Sequence, residues 1–178
     1  MRDSASPEPG GLLARLGLHR PDLRAWALYD WANSAFVTTV STAVLPLYYL
    51  RVAGAELPAG HAASYWAYTQ SIALLVVAMI APMLGAMADY MGAKKGFLGA
   101  FMGLGVVATA GLWFVQHGDW LLASGLFVAG SIGLTASIAF ADSLLPHIAT
   151  PREVDRVSTA GYALGYLGGG ILLVVNML

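Results

Sequence analysis

The chain contains no cysteine and little charge. Its 178 residues include nine lysines and arginines, ten aspartates and glutamates and four histidines, for a net charge of −1. The absence of cysteine excludes disulfides and thiolate metal sites, and the four histidines lie far apart, without the spacing of metal ligands. Because lysine and arginine form no cluster, nucleic acid is not an expected partner. We therefore predict no metal, no cofactor and no nucleic-acid partner.

Signatures of enzymes and of targeting signals are also missing. The sequence has neither a Gly-x-Ser-x-Gly elbow nor a Walker-type phosphate loop, and the glycine run at 168–170 has wholly apolar flanks. An enzyme and an ATP-driven pump are therefore unsupported. The first 24 residues are polar and lack an apolar segment, so we expect no cleaved signal peptide.

What the sequence has in abundance is long apolar runs. Hydrophobic residues make up 58% of the chain, and they fall in five runs at about 26–50, 65–87, 97–115, 121–143 and 159–178. Each run matches the ~20 residues that cross the hydrocarbon layer as a helix, and lipid requires backbone hydrogen bonds to be made within the segment. We predict an all-α integral membrane protein in a lipid bilayer, with a polar tail at 1–24 and a transmembrane bundle at 25–178.

The positive charges indicate an orientation. Eight of the nine lysines and arginines lie in the N-terminal tail and in the second and fourth connectors, and Arg51 is the exception. The positive-inside rule therefore places the N-terminus in the cytoplasm.

Two of the runs carry polar residues on one helical face. The candidate pathway residues are Asp30, Asn33, Ser34, Thr38 and Ser41 on the first run and Ser131, Thr135 and Asp142 on the fourth. Polar groups within a span usually face a bundle interior or a watery cavity, so these two spans are predicted to line a shared pathway. The alternative is that the hydroxyls bond their own backbone or pack neighbouring helices.

One sequence feature lies within the fifth run and another lies just before it. Gly161, Gly165 and Gly169 form a small-residue face that lets another helix approach closely. Before it, Thr150 to Glu153 match a capping box with Pro151 at the first helical position, which predicts a short amphipathic helix leading into the span. An irregular charged loop is the alternative.

The connector between the second and third runs is short, charged and rich in glycine. Gly85, Asp89, Gly92, Lys94 and Lys95 form a pattern that resembles the loop signature of the major facilitator superfamily, with Tyr90 where a basic residue is common. The segments 29–36, 145–149 and 161–170 are similar to the vacuolar amino-acid effluxers linked to autophagy and to their bacterial relatives. This likeness covers nearly the whole chain after the tail.

The resemblance implies one part of a twelve-helix secondary transporter. In that fold two six-helix halves rock around a central site, the first and fourth helices line the pathway, and Asp89 helps to close the cytoplasmic gate against the second half. Because the last run ends at Leu178 without a polar tail, we expect the C-terminal half to be missing. The intact protein would move a small amino-acid-like solute, coupled to an ion, across the plasma membrane if it is bacterial. The alternatives are a non-transporting helix-packing module and a small homodimeric transporter.

Overall fold

The computed structural model describes residues 11–90 and 94–177, apart from the side chains of Ala88 and Asp89. Its α-helices are α1 (Leu12–Arg15), α2 (Pro21–Ala35), α3 (Leu45–Tyr48), α4 (His61–Tyr90), α5 (Lys94–Gly111), α6 (Trp120–Ile148) and α7 (Val154–Met177). No strand occurs among these residues. Gly92, Leu178 and the first ten residues of the predicted tail lie outside the described part.

Five helical segments are long and apolar enough to cross a membrane. The spans, numbered in chain order, are Pro21–Ala53, His61–Met87, Lys94–Phe114, Trp120–Ile148 and Val154–Met177. The prediction of five transmembrane helices is therefore confirmed. The first and fifth spans begin about five residues earlier than predicted, because charged residues occupy their first turns without interrupting the helix.

The first span is not a uniform α-helix. Between α2 and α3, and again after α3, the backbone forms wider turns with hydrogen bonds from residue i to i+5, over Phe36–Val44 and Tyr49–Ala53. Pro46 lies between these two stretches and has no N–H to donate. Wider turns commonly accompany a local disruption of the helical ladder and occur often at functional sites.

The spans pack as two groups, and contacts between the first and fourth spans join the two groups. The first span packs along the fifth, while the fourth span packs against both the third and the second. Tyr49 of the first span is fully buried and packs on Trp66 of the second span, which in turn packs on Phe127 of the fourth. Large side chains such as Leu74 and Val107 point outward, as expected for surfaces in contact with lipid.

The N-terminal segment folds back onto the bundle. Gly17 has a φ of 76°, and this turn lets Leu18 enter a buried cluster with Leu23, Val157 and Ala160. A left-handed φ of this kind favours glycine, which has no Cβ. The segment before the first span is therefore packed against the start of the fifth span.

The connector before the fifth span differs from its prediction. Pro151 lies in a turn and not at the first helical position, which corrects the prediction for that residue. The helix begins at Val154 and leads without a break into the fifth span, ending at Met177. Glu153 does reach back, since its carboxylate accepts from the Thr150 N–H at 3.0 Å and from the Thr150 hydroxyl at 2.7 Å. The hydroxyl thus donates to the carboxylate and leaves the Glu153 N–H to bond the Thr150 carbonyl.

Candidate functional site

The polar stripe of the first span faces the glycine face of the fifth span. A Cβ added at Gly165 would lie 2.6 Å from the Ser34 Oγ and 2.8 Å from an Asp30 carboxylate oxygen. A Cβ added at Gly169 would lie 2.5 Å from the Thr38 Oγ1. Only glycine gives these polar atoms room, so three of the predicted pathway residues lie together at one helix–helix contact.

Two tryptophans of the first span lie on either side of this contact. Trp26 packs against Gly161, and Trp31 packs so closely on Gly168 that its indole fills the space of a Cβ there. The Trp26 Nε1 also donates to the Ala141 carbonyl of the fourth span at 2.9 Å. Trp26 therefore fixes the first span to both neighbours, one helical turn before Asp30.

Asp30 has an unusual environment for a carboxylate. Its Oδ2 is buried and finds no hydrogen-bond partner among residues 11–90 and 94–177. The other predicted carboxylate, Asp142, follows Ala141 on the fourth span and is exposed, yet it lies close enough to Asp30 for their charges to interact. The two acids of the sequence prediction thus lie near each other, but only Asp30 is enclosed by helix packing.

A cavity of about 490 Å³ lies between the first, third and fourth spans. Asn33 lines it, together with Tyr29, Phe36, Gly133 and Ser137. The Asn33 Nδ2 and the Tyr29 hydroxyl are buried and have no hydrogen-bond partner within the described part of the chain. The Thr109 and Ser137 hydroxyls at the cavity bond carbonyls of their own helices, and the rest of the lining is apolar. A mostly apolar wall with a few polar groups for orientation is the usual character of a small-molecule site.

The predicted residues of the fourth span lie away from this cavity wall. Ser131 donates to the Phe127 carbonyl of its own helix at 2.8 Å, and Thr135 is half-buried. The cavity lining takes Gly130, Leu134 and Ser137 from the fourth span instead. Ser41, farther along the first span, is also half-buried. Of the predicted residues, Asp30, Ser34 and Thr38 therefore lie at the glycine contact and Asn33 lies at the cavity. The remaining four, Ser41, Ser131, Thr135 and Asp142, are not seen at either place.

Sequence reasoning missed several polar residues. Thr69 and Tyr49 both bond the Ser124 hydroxyl, at 2.8 and 2.9 Å, and so join the second, first and fourth spans. Tyr29 and Ser137 line the cavity but do not lie on the predicted stripes. Tyr29 directly precedes Asp30, so attention to both faces of the first span would have found it.

The structure describes some residues of the predicted gating loop between the second and third spans. A Cβ added at Gly85 would meet no atom within 4 Å. Lys94 donates to the Ser143 carbonyl at 3.4 Å, which ties the start of the third span to the fourth, and Lys95 is exposed. The side chain of Asp89, and Gly92, lie outside the described part.

Comparison with known proteins indicates the family of this chain. The family model described as vacuole effluxer Atg22 like matches residues 56–178. A curated protein of Bacillus subtilis (strain 168), the uncharacterized MFS-type transporter YxiO, is 38% identical over 154 residues, which cover 86% of this chain and 36% of that protein. The chain thus spans about a third of the length of this relative. No solved structure matches.

Proposed function

Because this chain belongs to the Atg22-like vacuole effluxer family, we propose that it forms the first five spans of a secondary transporter for small, amino-acid-like solutes. The intact protein works by alternating access, in which two helix bundles move against each other around a central site. The movement of an ion down its gradient drives the transport of the solute. The N-terminus lies in the cytoplasm, and in a bacterium the protein lies in the plasma membrane.

The observation that carries this proposal is the set of unpartnered polar atoms on the first span. Asp30, Asn33 and Tyr29 each bury a polar atom that no described residue bonds. Burying such groups in a membrane helix is costly, and residues of this kind usually mark a route for substrate or ions. In this proposal the first and fourth spans contribute Asp30, Asn33, Ser34, Thr38, Ser41, Ser131, Thr135 and Asp142 to that route.

The connector between the second and third spans acts as the gating loop in this proposal. Lys94 contacts the end of the fourth span, so a movement of the loop is passed on to a span of the route. Asp89, with Gly85, Gly92 and Lys95, meets the second half of the transporter when the cytoplasmic side closes.

A chimera tests the proposal. This chain would replace the matching segment of the Bacillus subtilis relative, and proteoliposomes would be screened for accumulation of labelled amino acids under an imposed ion gradient. We expect saturable accumulation by the chimera, and none by the 178-residue chain alone. Asn33→Leu, which removes the amide at the cavity, should reduce uptake at least tenfold, while the outward-facing control Leu74→Ala should have little effect.

Two results would contradict the proposal. Saturable uptake by the chain alone would show that it needs no second bundle. A correctly inserted chimera that transports no tested solute, although the parent relative does, would show that these spans do not form the route.

A helix-packing module is the second candidate, favoured by the contact of Asp30, Ser34 and Thr38 with glycine rather than with an open cavity. Asp30→Asn in the chimera separates the two functions. Lost solute accumulation with normal insertion supports the transporter, whereas unchanged transport supports packing alone.

A further inference from the structure

Asp30 lies where two helices approach through glycine, and this geometry restricts its charge state. The Asp30 Oδ2 and the Ser34 Oγ both lie against Gly165, within 3 Å of the point where a Cβ would stand. This close approach leaves Oδ2 enclosed and without a hydrogen-bond donor among the residues that the structure describes. An ionised carboxylate held in this way loses hydration at its Oδ2 and gains no partner there.

Among residues 11–90 and 94–177, no lysine, arginine or histidine forms an ion pair with Asp30. On the fifth span the facing positions are Gly161, Gly165, Gly168 and Gly169, which carry no side chain. The ionisable residues of that span point elsewhere: Arg156 packs on Gly17, Asp155 lies beside Arg15 and Arg156 at a surface groove, and Tyr162 and Tyr166 are exposed.

On the fourth span the ionisable residue on this side is Asp142, which is exposed. It follows Ala141, whose carbonyl accepts from the Trp26 indole one turn before Asp30. On the first span itself, Tyr29 directly precedes Asp30 and lines the cavity, and Arg24 is exposed. The packing of the Asp30 Oδ2 against Gly165, without a hydrogen-bond donor in the described part of the chain, therefore favours the neutral carboxyl.

We propose that Asp30 is a proton-binding site that controls the contact between the first and fifth spans. The spans pack through Gly165 when Asp30 carries a proton, and the contact loosens when the proton leaves and the carboxylate takes up water. The proton linkage is a property of this chain by itself. Its use as the entry point of a coupling proton rests on the proposed function.

Infrared spectroscopy of the purified chain in lipid nanodiscs tests the protonation directly. The wild type should show the carbonyl stretch of a protonated carboxyl at neutral pH. Asp30→Asn should remove this band, and Asp142→Asn, the matched control at the exposed acid, should keep it. Identical spectra of the wild type and Asp30→Asn at every pH would overturn the proposal.

Thermal unfolding tests the link to packing. Because the packed state holds a proton that the separated helices release, the unfolding midpoint of the wild type should fall as the pH rises. Asp30→Asn resembles the protonated form and should be at least as stable at high pH, with less dependence on pH. A midpoint that sodium raises at constant pH, in the wild type and not in Asp30→Asn, would assign the site to sodium instead.

A second variant serves if Asp30→Asn does not insert. A methyl at Gly165 would displace the Asp30 carboxyl toward water, so Gly165→Ala should shift the disappearance of the infrared band downward by about one pH unit or more. An unshifted band would overturn the proposal. These measurements need no transport, so their failure and a failed uptake assay are separate results.

Discussion

Two pairs of spans approach each other through glycine, and they differ in what the glycine meets. Between the third and fourth spans, a Cβ at Gly133 would lie 2.5 Å from the Gly105 amide nitrogen and 2.8 Å from the Phe101 carbonyl oxygen. Between the first and fifth spans, Gly165 meets side-chain atoms of Asp30 and Ser34. At Gly133 the contact is of backbone on backbone, whereas at Gly165 it is of backbone on polar side chains.

This difference divides the bundle into a fixed part and an adjustable part. A backbone cannot move without shifting a whole helix, so the third and fourth spans have one way of packing. Side chains can rotate and a carboxyl can change its charge, so the first and fifth spans have more than one. A transporter needs both, because its site must keep its shape while some helices change position.

The largest effect is expected at the backbone contact. Gly133→Ala places a methyl against the Gly105 backbone, which has no room to retreat, and should lower the free energy of unfolding by about 2–3 kcal/mol. Denaturant unfolding in detergent measures this loss. The matched control is Gly99→Ala on the third span, where a Cβ meets nothing within 4 Å and where alanine is the better helix former. Equal stability of the two variants would contradict the division.

A smaller effect is expected where the neighbour is a side chain. Gly168→Ala collides with the Trp31 indole, but that ring is 39% exposed and can rotate away, so the loss should be about 1–2 kcal/mol. In the Trp31→Ala background the same substitution should cost much less, which a double-mutant cycle would show. Gly170→Ala, in open space, is the control. Additive effects in the cycle would mean that Trp31 is not the obstacle.

The hydroxyls of Tyr49, Ser124 and Thr69 form a hydrogen-bonded network, unlike the unpartnered oxygen of Asp30. Ser124→Ala removes the partner of both Tyr49 and Thr69 and should lower stability by about 1 kcal/mol. Unlike the Asp30 contact, this network holds no charge, so its contribution should not vary with pH between mild acid and neutrality. Unfolding of wild type and Ser124→Ala at several pH values checks both points.

The smallest effect is expected at Glu153, a half-buried carboxylate whose hydrogen-bond donors are present. The hydrogen bonds from the Thr150 backbone and hydroxyl lower the pKa of Glu153 below its ordinary value. A lowered pKa stabilises the turn above the ordinary pKa of glutamate, and this contribution is lost as the pH falls through the lowered value. NMR titration should show the low pKa, and Thr150→Val should raise it. An unchanged titration would contradict the contact.

The sequence predicted the five spans because apolar length is a strong signal that tertiary packing does not override. Their ends were less accurate: Pro21 starts the first span and Val154 the fifth, since charged residues are tolerated in terminal turns at the interface. The wide turns around Pro46 were missed as well. A proline in the sequence shows that one backbone N–H is absent, but it does not show which helical hydrogen bonds the backbone forms instead.

The candidate site was predictable only one helix at a time. Periodicity placed Asp30, Ser34 and Thr38 on one face, and the structure has them side by side. Which helix covers that face depends on how the five spans associate, and the period of one helix holds no information on its neighbours. The glycines of the fifth span were noticed separately, but pairing them with Asp30 required the fold.

The bond from Trp26 to Ala141 joins residues 115 positions apart, and the glycine face of the fifth span follows still later in the chain. Ribosomes add about 5–20 residues per second, so on the order of ten seconds separate the synthesis of the first span from that of its cover. During that interval the nascent first span holds Asp30 in the bilayer or in the insertion machinery without Gly165 against it. Quality-control proteases in the membrane should therefore degrade chains stalled before the fifth span far faster than chains stalled after it.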